Sequence, residues 1–189
     1  MDIEQIHSAL TNKIKPTSLS KLDENELASV LIIIYGKVPT ILMTEKAKTL
    51  KAHAGEISFP GGKLCEKDSD LLETALRETE EELDIRISRK QIIGQLEPVV
   101  TLNSKYMITP FVAILDKIHP LKPNSEVNSV LRIPFVPFLK TMDKDTDPAH
   151  RSIKEMYTFT FEKYQIWGAS ARMLNQIFML LSKKWHKWD

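Results

Sequence analysis

Four carboxylates crowd into one short segment of this chain, and their type and spacing could bind a metal ion. The segment is Arg77-Glu78-Thr79-Glu80-Glu81-Glu82, and it begins fifteen residues after a Gly61-Gly62 turn. Hard cations such as Mg²⁺ prefer oxygen ligands, and they commonly share one or two protein carboxylates with the phosphates of a substrate. So many carboxylates repel one another unless a cation lies beside them. The segment therefore indicates a divalent metal beside bound phosphates.

Helical geometry sorts these carboxylates into two groups. Because each residue of a helix turns the side chain by about 100°, Glu78, Glu81 and Glu82 fall within one arc of roughly 100°. Glu80 points away from that arc. The adjacent arc, which we expect to face the core, holds Leu72, Ala75, Thr79 and Leu83. The pattern predicts three clustered carboxylates on one exposed edge of a core-packed helix.

Arg77 stands among these acids and is expected to be held by them. Glu73 and Glu81 lie one helical turn before and after it, within reach of its guanidinium group. The alternative interpretation is an ordinary solvated acidic face with ion pairs, which is more common for a bare acidic run. The Gly61-Gly62 turn at this spacing favours the metal site instead.

The remaining pattern describes the elements that must position this helix. Residues 28–35 are a continuous apolar run and predict a buried strand, which forms a hairpin with residues 40–44. The acidic helix is expected to begin at a cap, Asp68 or Ser69, and to end at Asp84. Further strands are predicted at 56–59, 92–101, 106–115, 130–133, 157–161 and 165–167, helices at 134–140 and 169–185, and polar loops at 45–54, 116–129 and 141–152. Strands flanked by helices favour an α/β/α sandwich around a mixed sheet.

Bulk composition excludes several classes of protein. With 189 residues, 42% hydrophobic and 27% charged, the chain suits one globular domain, predicted at 28–185 after an N-terminal helical extension at 1–27. A net charge of +1 gives no field for nucleic acid or membrane surfaces. The single cysteine, Cys65, excludes an intramolecular disulfide and a cysteine zinc site, and it predicts a cytoplasmic protein. The longest apolar run, Val30–Tyr35, is too short to span a bilayer.

The segment from Gly62 to Ile85 resembles the Nudix box of the Nudix hydrolase family. The match is specific in its second half, Arg77 to Glu82, which reproduces the arginine and glutamate positions of that box. Asp84 stands at the final glycine of the box, and the first glutamate of the box falls near residues 68–70. Asp tolerates the left-handed backbone that such a glycine allows. The resemblance implies a Nudix-type α/β/α sandwich that hydrolyses a diphosphate linked to another moiety.

The spacing from Gly62 to Arg77 is one residue longer than in the standard box, as in the coenzyme A pyrophosphatase branch of the family. Lys46 and Lys51 stand where that branch has arginines, and the resemblance covers roughly residues 28–180. The segments that look like the branch include Ile41–Thr44, Phe59–Gly62, Thr74–Thr79, Tyr106–Val112 and Ile166–Leu174. The resemblance implies hydrolysis of coenzyme A or its acyl derivatives to 4′-phosphopantetheine and adenosine 3′,5′-bisphosphate.

The family also implies roles for the box residues. Glu78 and Glu82 are expected to bind Mg²⁺ or Mn²⁺, and Glu81 is expected to be a further ligand or the base that activates water. The carbonyl of Gly62 is expected to complete the metal shell, and Arg77 to orient the carboxylates. The metal would neutralise phosphate oxygens and lower the pKa of a bound water.

Residues outside the box complete the predicted site. Glu126 is the candidate for an extra acidic ligand from a later loop, and an ordinary surface acid is its alternative. Lys46, Lys51 and His53 precede the glycine turn and are expected to meet the diphosphate or the 3′-phosphate of coenzyme A. For each of these three, a solvated loop charge is the alternative.

Two other functions stay open beside the coenzyme A diphosphatase. The same chemistry could serve a nucleotide sugar, a dinucleotide or a nucleoside triphosphate, because the two lysines lose the bidentate phosphate geometry of arginine. A Nudix fold could also be a binding module without catalysis, although such modules usually lose box glutamates. The expected partner is a small-molecule substrate, with no nucleic acid and no membrane. Trp185 and Trp188 suggest a contact surface, as in a homodimer.

Overall fold

The apolar run predicted as a buried strand forms β1 (Leu27–Tyr35), at the centre of the main sheet. A computed structural model describes residues 1–14, 26–49, 54–101, 104–147 and 156–184. The other strands are β2 (Thr40–Lys46), β3 (Ile57–Ser58), β4 (Gly61–Lys63), β5 (Ile92–Gln95), β6 (Val99–Val100), β7 (Met107–Leu115), β8 (Val127–Pro134), β9 (Asp143–Lys144), β10 (Tyr157–Phe161) and β11 (Tyr164–Ile166). The helices are α1 (Ile3–Leu10), α2 (Leu71–Leu83), α3 (Phe135–Leu139) and α4 (Gly168–Lys184), with a 3₁₀ turn at Arg89–Gln91.

The main sheet combines parallel and antiparallel pairs. Its strand order is β3-β2-β1-β7-β5, with β4 added to β1, β6 to β7 and β8 to β2. Strands β1 and β7 run parallel along their whole length, whereas the other pairs of this sheet are antiparallel. Strands β9, β10 and β11 form a separate small antiparallel sheet. The predicted mixed sheet is confirmed.

Both faces of the main sheet are covered by helices. Successive side chains of a strand point to opposite faces, so Leu31 and Ile33 join the hydrophobic cluster under α2. Ile32 and Ile34 join a second cluster with residues of α1 and α4. The predicted α/β/α sandwich is therefore also confirmed, because α2 packs on one face and α1 with α4 on the other.

Strands β1 and β2 separate after three paired residues, and this opening holds the candidate site. They pair only where Ile33–Tyr35 meets Thr40–Leu42. Beyond that point β4 pairs with β1 at Ala28–Val30, and β3 pairs with β2 at Thr44–Glu45. The inserted β3–β4 segment carries the glycine turn into the middle of the sheet, next to α2.

Several predicted boundaries were wrong, for local reasons. The expected strand at 92–101 is interrupted between β5 and β6, where Pro98 has no N–H to contribute to a ladder. Strand β2 continues to Lys46 and β8 begins at Val127, because these two residues pair across the sheet. The loops predicted at 45–54 and 116–129 are correspondingly shorter. Gly61 and Gly62, which were expected to form a turn, are themselves part of a strand, since β4 pairs with β1.

The N-terminal segment contributes one helix to the sandwich. Asp2 caps α1 by accepting a hydrogen bond from the Gln5 N–H at 2.8 Å, and the Gln5 side chain accepts one from the Asp2 N–H. Ile6 and Leu10 of α1 are fully buried in the cluster that includes α4. The rest of the predicted 1–27 extension is mostly outside the described residues, which omit 15–25. In the part of the chain that the structure describes, no helix is long and apolar enough to cross a bilayer.

Candidate active site

Helix α2 is fixed at both ends, which sets the direction of its glutamates. Asp70 is the N-cap, and its carboxylate accepts a hydrogen bond from the Glu73 N–H at 2.8 Å. The predicted caps were therefore wrong: Asp68 lies two residues before the observed cap, and Ser69 lies one residue before it. Asp84 ends the helix as predicted, in a left-handed conformation with φ 55° and ψ 40°.

Arg77 is the centre of an ion-pair network. Its Nε and Nη2 atoms donate to the two oxygens of Asp68 at 2.8 and 2.9 Å. Its Nη1 donates to Glu78 at 2.8 Å and to Glu81 at 3.2 Å, and Nη2 also donates to the carbonyl of Lys63 at 3.3 Å. A planar guanidinium fork suits such paired contacts. Arg77 thus orients two predicted site carboxylates and ties α2 to the end of β4.

Asp68 holds Arg77 in place of Glu73, whereas Glu81, the other residue predicted for that role, does contact Arg77. The expectation for Glu73 was wrong, because Glu73 pairs at 2.9 Å with Arg89, which also binds Asp70. Asp68 lies within the 68–70 stretch where the first glutamate of the box was expected. Its side chain is only 1% exposed, and the hydrogen bonds from Arg77 hold its pKa well below its usual range. The buried carboxylate therefore stays charged and paired.

Gly62 lies directly against the carboxylate of Glu78. A Cβ placed on Gly62 would lie 2.3 Å from Glu78 Cδ, so a side chain at this position would displace the carboxylate. Burial raises the pKa of Glu78, and its hydrogen bond from Arg77 opposes that shift. The preceding glycine has a different role: Gly61 has φ +152°, and its Cβ would lie 2.2 Å from the Ser29 carbonyl oxygen.

Gly62→Ala is therefore expected to impair activity much more than stability. The clash is with the end of a flexible side chain, which can move, so the protein should fold with a melting temperature close to that of the wild type. The displaced Glu78 should lower kcat by about tenfold to a hundredfold, as for misplaced groups around a metal. Steady-state kinetics and thermal unfolding measure the two effects.

Gly61→Ala is the matched comparison, because its Cβ would strike backbone atoms and its φ is unfavourable for alanine. We expect this variant to lose stability first. Full activity in Gly62→Ala would contradict the role of the close contact with Glu78.

Glu82 is the most deeply buried carboxylate among the predicted ligands, at 2% exposed. Lys46 reaches it from the end of β2, and the Lys46 Nζ lies 2.5 Å from Glu82 Oε1. The other oxygen, Oε2, is buried and has no hydrogen-bond partner among the described residues. Burial raises the pKa of Glu82, and the charge of Lys46 opposes that shift. One oxygen of this carboxylate is therefore unsatisfied.

The loop before β8 brings Glu126 towards the same carboxylate. The Asn124 N–H donates to the main-chain carbonyl of Glu82 at 2.9 Å, which satisfies a carbonyl at the end of α2. The carbonyl of Glu126 accepts from the Ala47 N–H at 2.8 Å, beside Lys46. The Glu126 side chain is exposed. Burial is the largest cause that raises the pKa of Glu82, and the negative charge of Glu126 adds to it. The role of Glu126 as an extra acidic ligand therefore stays a prediction.

The donor set fits a divalent cation. Glu78 and Glu82 project from consecutive turns of α2. A hard cation would satisfy the buried Glu82 oxygen that has no partner in the described portion of the chain. Within the described ranges, no group of three or more acids, histidines or cysteines is already arranged to hold a metal ion. Arg77 and Lys46 instead neutralise these carboxylates. Glu81 is more than half exposed, at the open side of the helix.

The predicted substrate residues have different outcomes. Lys46 is expected to meet phosphate, and the structure shows it paired with Glu82. Lys51 and His53 lie outside the described residues, so their roles stay predictions. Glu80 pairs with Arg86 at the surface, which agrees with the prediction that it points away from Glu78, Glu81 and Glu82.

Comparison with known proteins agrees with the resemblance. Residues 26–162 match the family model described as NUDIX domain. The uncharacterized Nudix hydrolase NudL of Photorhabdus laumondii is 36% identical over 161 residues, covering 82% of this chain and 84% of that protein. The protein of the same name from Yersinia enterocolitica is 36% identical over 154 residues, covering 79% and 78%. The similarity therefore extends over most of both chains.

Solved structures share the fold at low sequence identity. A MutT/nudix family protein from Enterococcus faecalis superposes with a TM-score of 0.62 at 13% identity, over 88% of this chain and 66% of that chain. The NUDIX domain of Shewanella oneidensis NrtR, solved with ADP ribose, superposes with a TM-score of 0.51 at 17% identity, over 66% and 82%. At these identities the likeness concerns the fold alone.

Proposed function

This chain belongs to the Nudix hydrolase family, whose members act on pyrophosphate bonds, and we propose that its substrate is coenzyme A or an acyl derivative. The products would be 4′-phosphopantetheine and adenosine 3′,5′-bisphosphate. The observation that carries the reaction type is the carboxylate centre on α2: Glu82 is buried, one of its oxygens has no partner among the described residues, and Glu78 lies against the backbone of Gly62. The choice of coenzyme A rests on the branch-like segments.

Four of the five branch-like segments lie on α2 or on strands of the main sheet; the fifth, Ile166–Leu174, spans the end of β11 and the start of α4. Ile41–Thr44 lies on β2, Phe59–Gly62 leads into β4, and Tyr106–Val112 leads into β7. Thr74–Thr79 is on α2 itself. This arrangement supports a substrate site in which both the reaction centre and its surroundings resemble the coenzyme A branch.

We assign the metal to the carboxylate centre. Glu78 and Glu82 would hold Mg²⁺ or Mn²⁺, with the Gly62 carbonyl and Glu126 as further ligands, and Glu81 would be either another ligand or the base that activates water. When bound, the metal would neutralise phosphate oxygens and lower the pKa of a water molecule. The residues of the chain then have the tasks of binding, orientation and proton transfer.

The protein residues divide these tasks. Hydrolysis breaks one P–O bond of the diphosphate, adds the oxygen of water to one phosphorus and leaves the bridging oxygen on the other phosphate. Glu81, exposed at the open side of α2, would accept the proton of the attacking water unless it is a ligand. Arg77 orients Glu78 and Glu81 through its Nη1 contacts. Lys46, Lys51 and His53 would bind the phosphates of the substrate.

A product assay tests this proposal. We expect purified protein with millimolar Mg²⁺ or Mn²⁺ at alkaline pH to convert coenzyme A into the two products above, identified by mass spectrometry. The same assay without metal, and with excess chelator, should show no turnover. Acyl derivatives of different chain length would then give the preferred substrate. Absence of turnover with every coenzyme A species would refute the assignment.

A second candidate keeps the chemistry and changes the substrate. Lys46 and Lys51 stand where the coenzyme A branch has arginines, which weakens bidentate phosphate recognition. A nucleotide sugar, a dinucleotide or a nucleoside triphosphate is therefore the alternative substrate, and ADP ribose, bound by the NrtR domain, belongs in the same panel. Turnover of one of these compounds with a kcat/KM above that for coenzyme A would favour this candidate.

A further inference from the structure

Lys46 contacts Glu82, the most deeply buried of the proposed metal ligands, directly. Its Nζ is 2.5 Å from Glu82 Oε1, and the two side chains are 15% and 2% exposed. We propose that Lys46 is a tethered counter-cation: it neutralises Glu82 until a divalent metal displaces it, and its ammonium group then binds a substrate phosphate. This inference rests on the proposed function, because it takes Glu82 as a metal ligand.

The backbone of Lys46 is held firmly, so only its side chain needs to move. Its N–H donates to the Glu56 carbonyl at 2.9 Å, and its carbonyl accepts from the Gly55 N–H at 3.0 Å. The next residue, Ala47, donates to the Glu126 carbonyl at 2.8 Å. These bonds fix both sides of the residue at the end of β2. The flexible four-carbon stem of lysine can then swing its charge between two partners without a change in the strand.

The metal and the ammonium group would compete for the same carboxylate. Glu82 is almost completely buried, so without a counter-cation its charge would lie in a poorly solvated site. Lys46 supplies that counter-cation at Oε1, and in the described part of the chain nothing binds Oε2. A divalent cation at Glu82 would repel the nearby ammonium group, because the repulsion of like charges grows as their separation falls. Binding of the metal therefore favours release of the lysine.

Once released from Glu82, the ammonium group of Lys46 would bind a substrate phosphate within reach of its side chain. Glu78 and Glu82 would hold the metal and the metal would neutralise substrate phosphates, so a phosphate of the substrate would lie near Glu82. An ammonium group is a compact point charge that binds phosphate without requiring the fork geometry of arginine. Lys46 would thus serve the metal-free protein as a neutralising group and the loaded enzyme as a phosphate ligand.

The first test is Lys46→Met, measured without substrate. Because the lysine lowers the fraction of protein ready to bind metal, its removal should tighten binding of Mn²⁺ and Mg²⁺ by about tenfold in calorimetry. The metal-free melting temperature should fall by about 5 °C or more, since Glu82 loses its partner, and saturating metal should restore it. Lys48→Met is the matched control: Lys48 is exposed, and its loss removes the same charge two residues away.

The second test uses wild-type protein and does not depend on a variant that folds. Lysine acylation followed by mass spectrometry reports how freely each amine reacts. Metal alone should raise the labelling of Lys46 severalfold and leave that of Lys48 unchanged. Adding adenosine 3′,5′-bisphosphate, or the phosphate product of whichever substrate the panel selects, should lower Lys46 labelling again.

The outcomes separate this inference from the function on which it rests. Metal binding by the wild type, with unchanged or weaker affinity in Lys46→Met and no change in Lys46 labelling, would overturn the inference and leave the proposed function intact. Wild-type protein that binds neither Mg²⁺ nor Mn²⁺ would contradict both. Tighter metal binding in Lys48→Met equal to that in Lys46→Met would also overturn the inference, because a general charge effect would explain the change.

Discussion

Glu82→Gln is expected to reduce the hydrolysis of pyrophosphate substrates by about a thousandfold or more while the protein stays folded. A bound metal supplies several kcal/mol of charge stabilisation in the transition state, and each 1.36 kcal/mol is a factor of ten in rate. Glutamine has the shape of glutamate but is a poor ligand for a hard cation. Burial raises the pKa of Glu82, and the flexible, partly exposed Lys46 side chain can turn to water when its partner is lost, so loss of the Glu82 charge should change stability little. Activity assays, calorimetry with Mn²⁺ and thermal unfolding measure these effects.

Glu80→Gln is the matched control for this variant. Glu80 is on the same helix and carries the same charge, but it pairs with Arg86 on the surface. Its substitution should leave kcat within about twofold of the wild type, as expected for exposed ion pairs. Undiminished turnover in Glu82→Gln would remove this residue from the metal centre. A wild-type protein that binds substrate, lacks turnover and keeps that affinity in Glu82→Gln would be a binding module.

The parts of the molecule that depend on local sequence were the ones that sequence predicted. The uninterrupted apolar run at 28–35 predicts a strand buried on both faces, which is what β1 is. The spacing of Leu72, Ala75 and Leu83 predicts the buried face of α2, and Asp84 predicts its left-handed end. These features need only the period of the chain and the conformational preference of one residue.

The features that escaped prediction arise from contacts distant in sequence or from competition among similar residues. Asp68 and Asp70 are both acids before the helix, and only the folded loop decides that Asp70 caps it and Asp68 binds Arg77. Glu73 has the correct spacing for Arg77, but Arg89 binds it from beyond the helix. Tertiary contact here overrides local geometry.

Lys46 is a case in which a signal existed in the sequence. It follows Leu42 and Thr44 at strand spacing, and Leu42 belongs to the cluster under α2. Alternation along β2 therefore directs this part of the strand towards α2, despite the irregularity between Glu45 and Lys46. Because the segment 45–54 was predicted as a loop, Lys46 could not be assigned to either face of a strand. The error in one strand boundary thus hid the contact with Glu82.

Arg77→Met is expected to give the largest loss of stability, on the order of 3 kcal/mol at neutral pH, because it leaves the buried carboxylate of Asp68 without its partner. Arg77 is one quarter exposed, so water should reduce this cost below that of a fully buried pair. For a chain of this size, the loss corresponds to a fall in melting temperature of roughly 6–12 °C. Urea unfolding at neutral pH gives the free energy directly. Arg89→Met, at the more exposed network of Asp70 and Glu73, should cost less than about 1 kcal/mol.

The pH dependence of this variant identifies the cause of the loss. In the wild type, Arg77 holds the pKa of Asp68 below its usual range. The ion pair therefore stabilises the fold at and above about pH 4, and this contribution is lost as the pH falls further. In Arg77→Met, burial would raise the pKa of Asp68, so protonation near pH 4 would relieve the unpaired charge. The stability difference between wild type and variant should therefore be largest at pH 7 and shrink towards pH 4. A difference that is constant over this range would mean that the variant loses packing of the guanidinium group, and that the charge of Asp68 has no part in it.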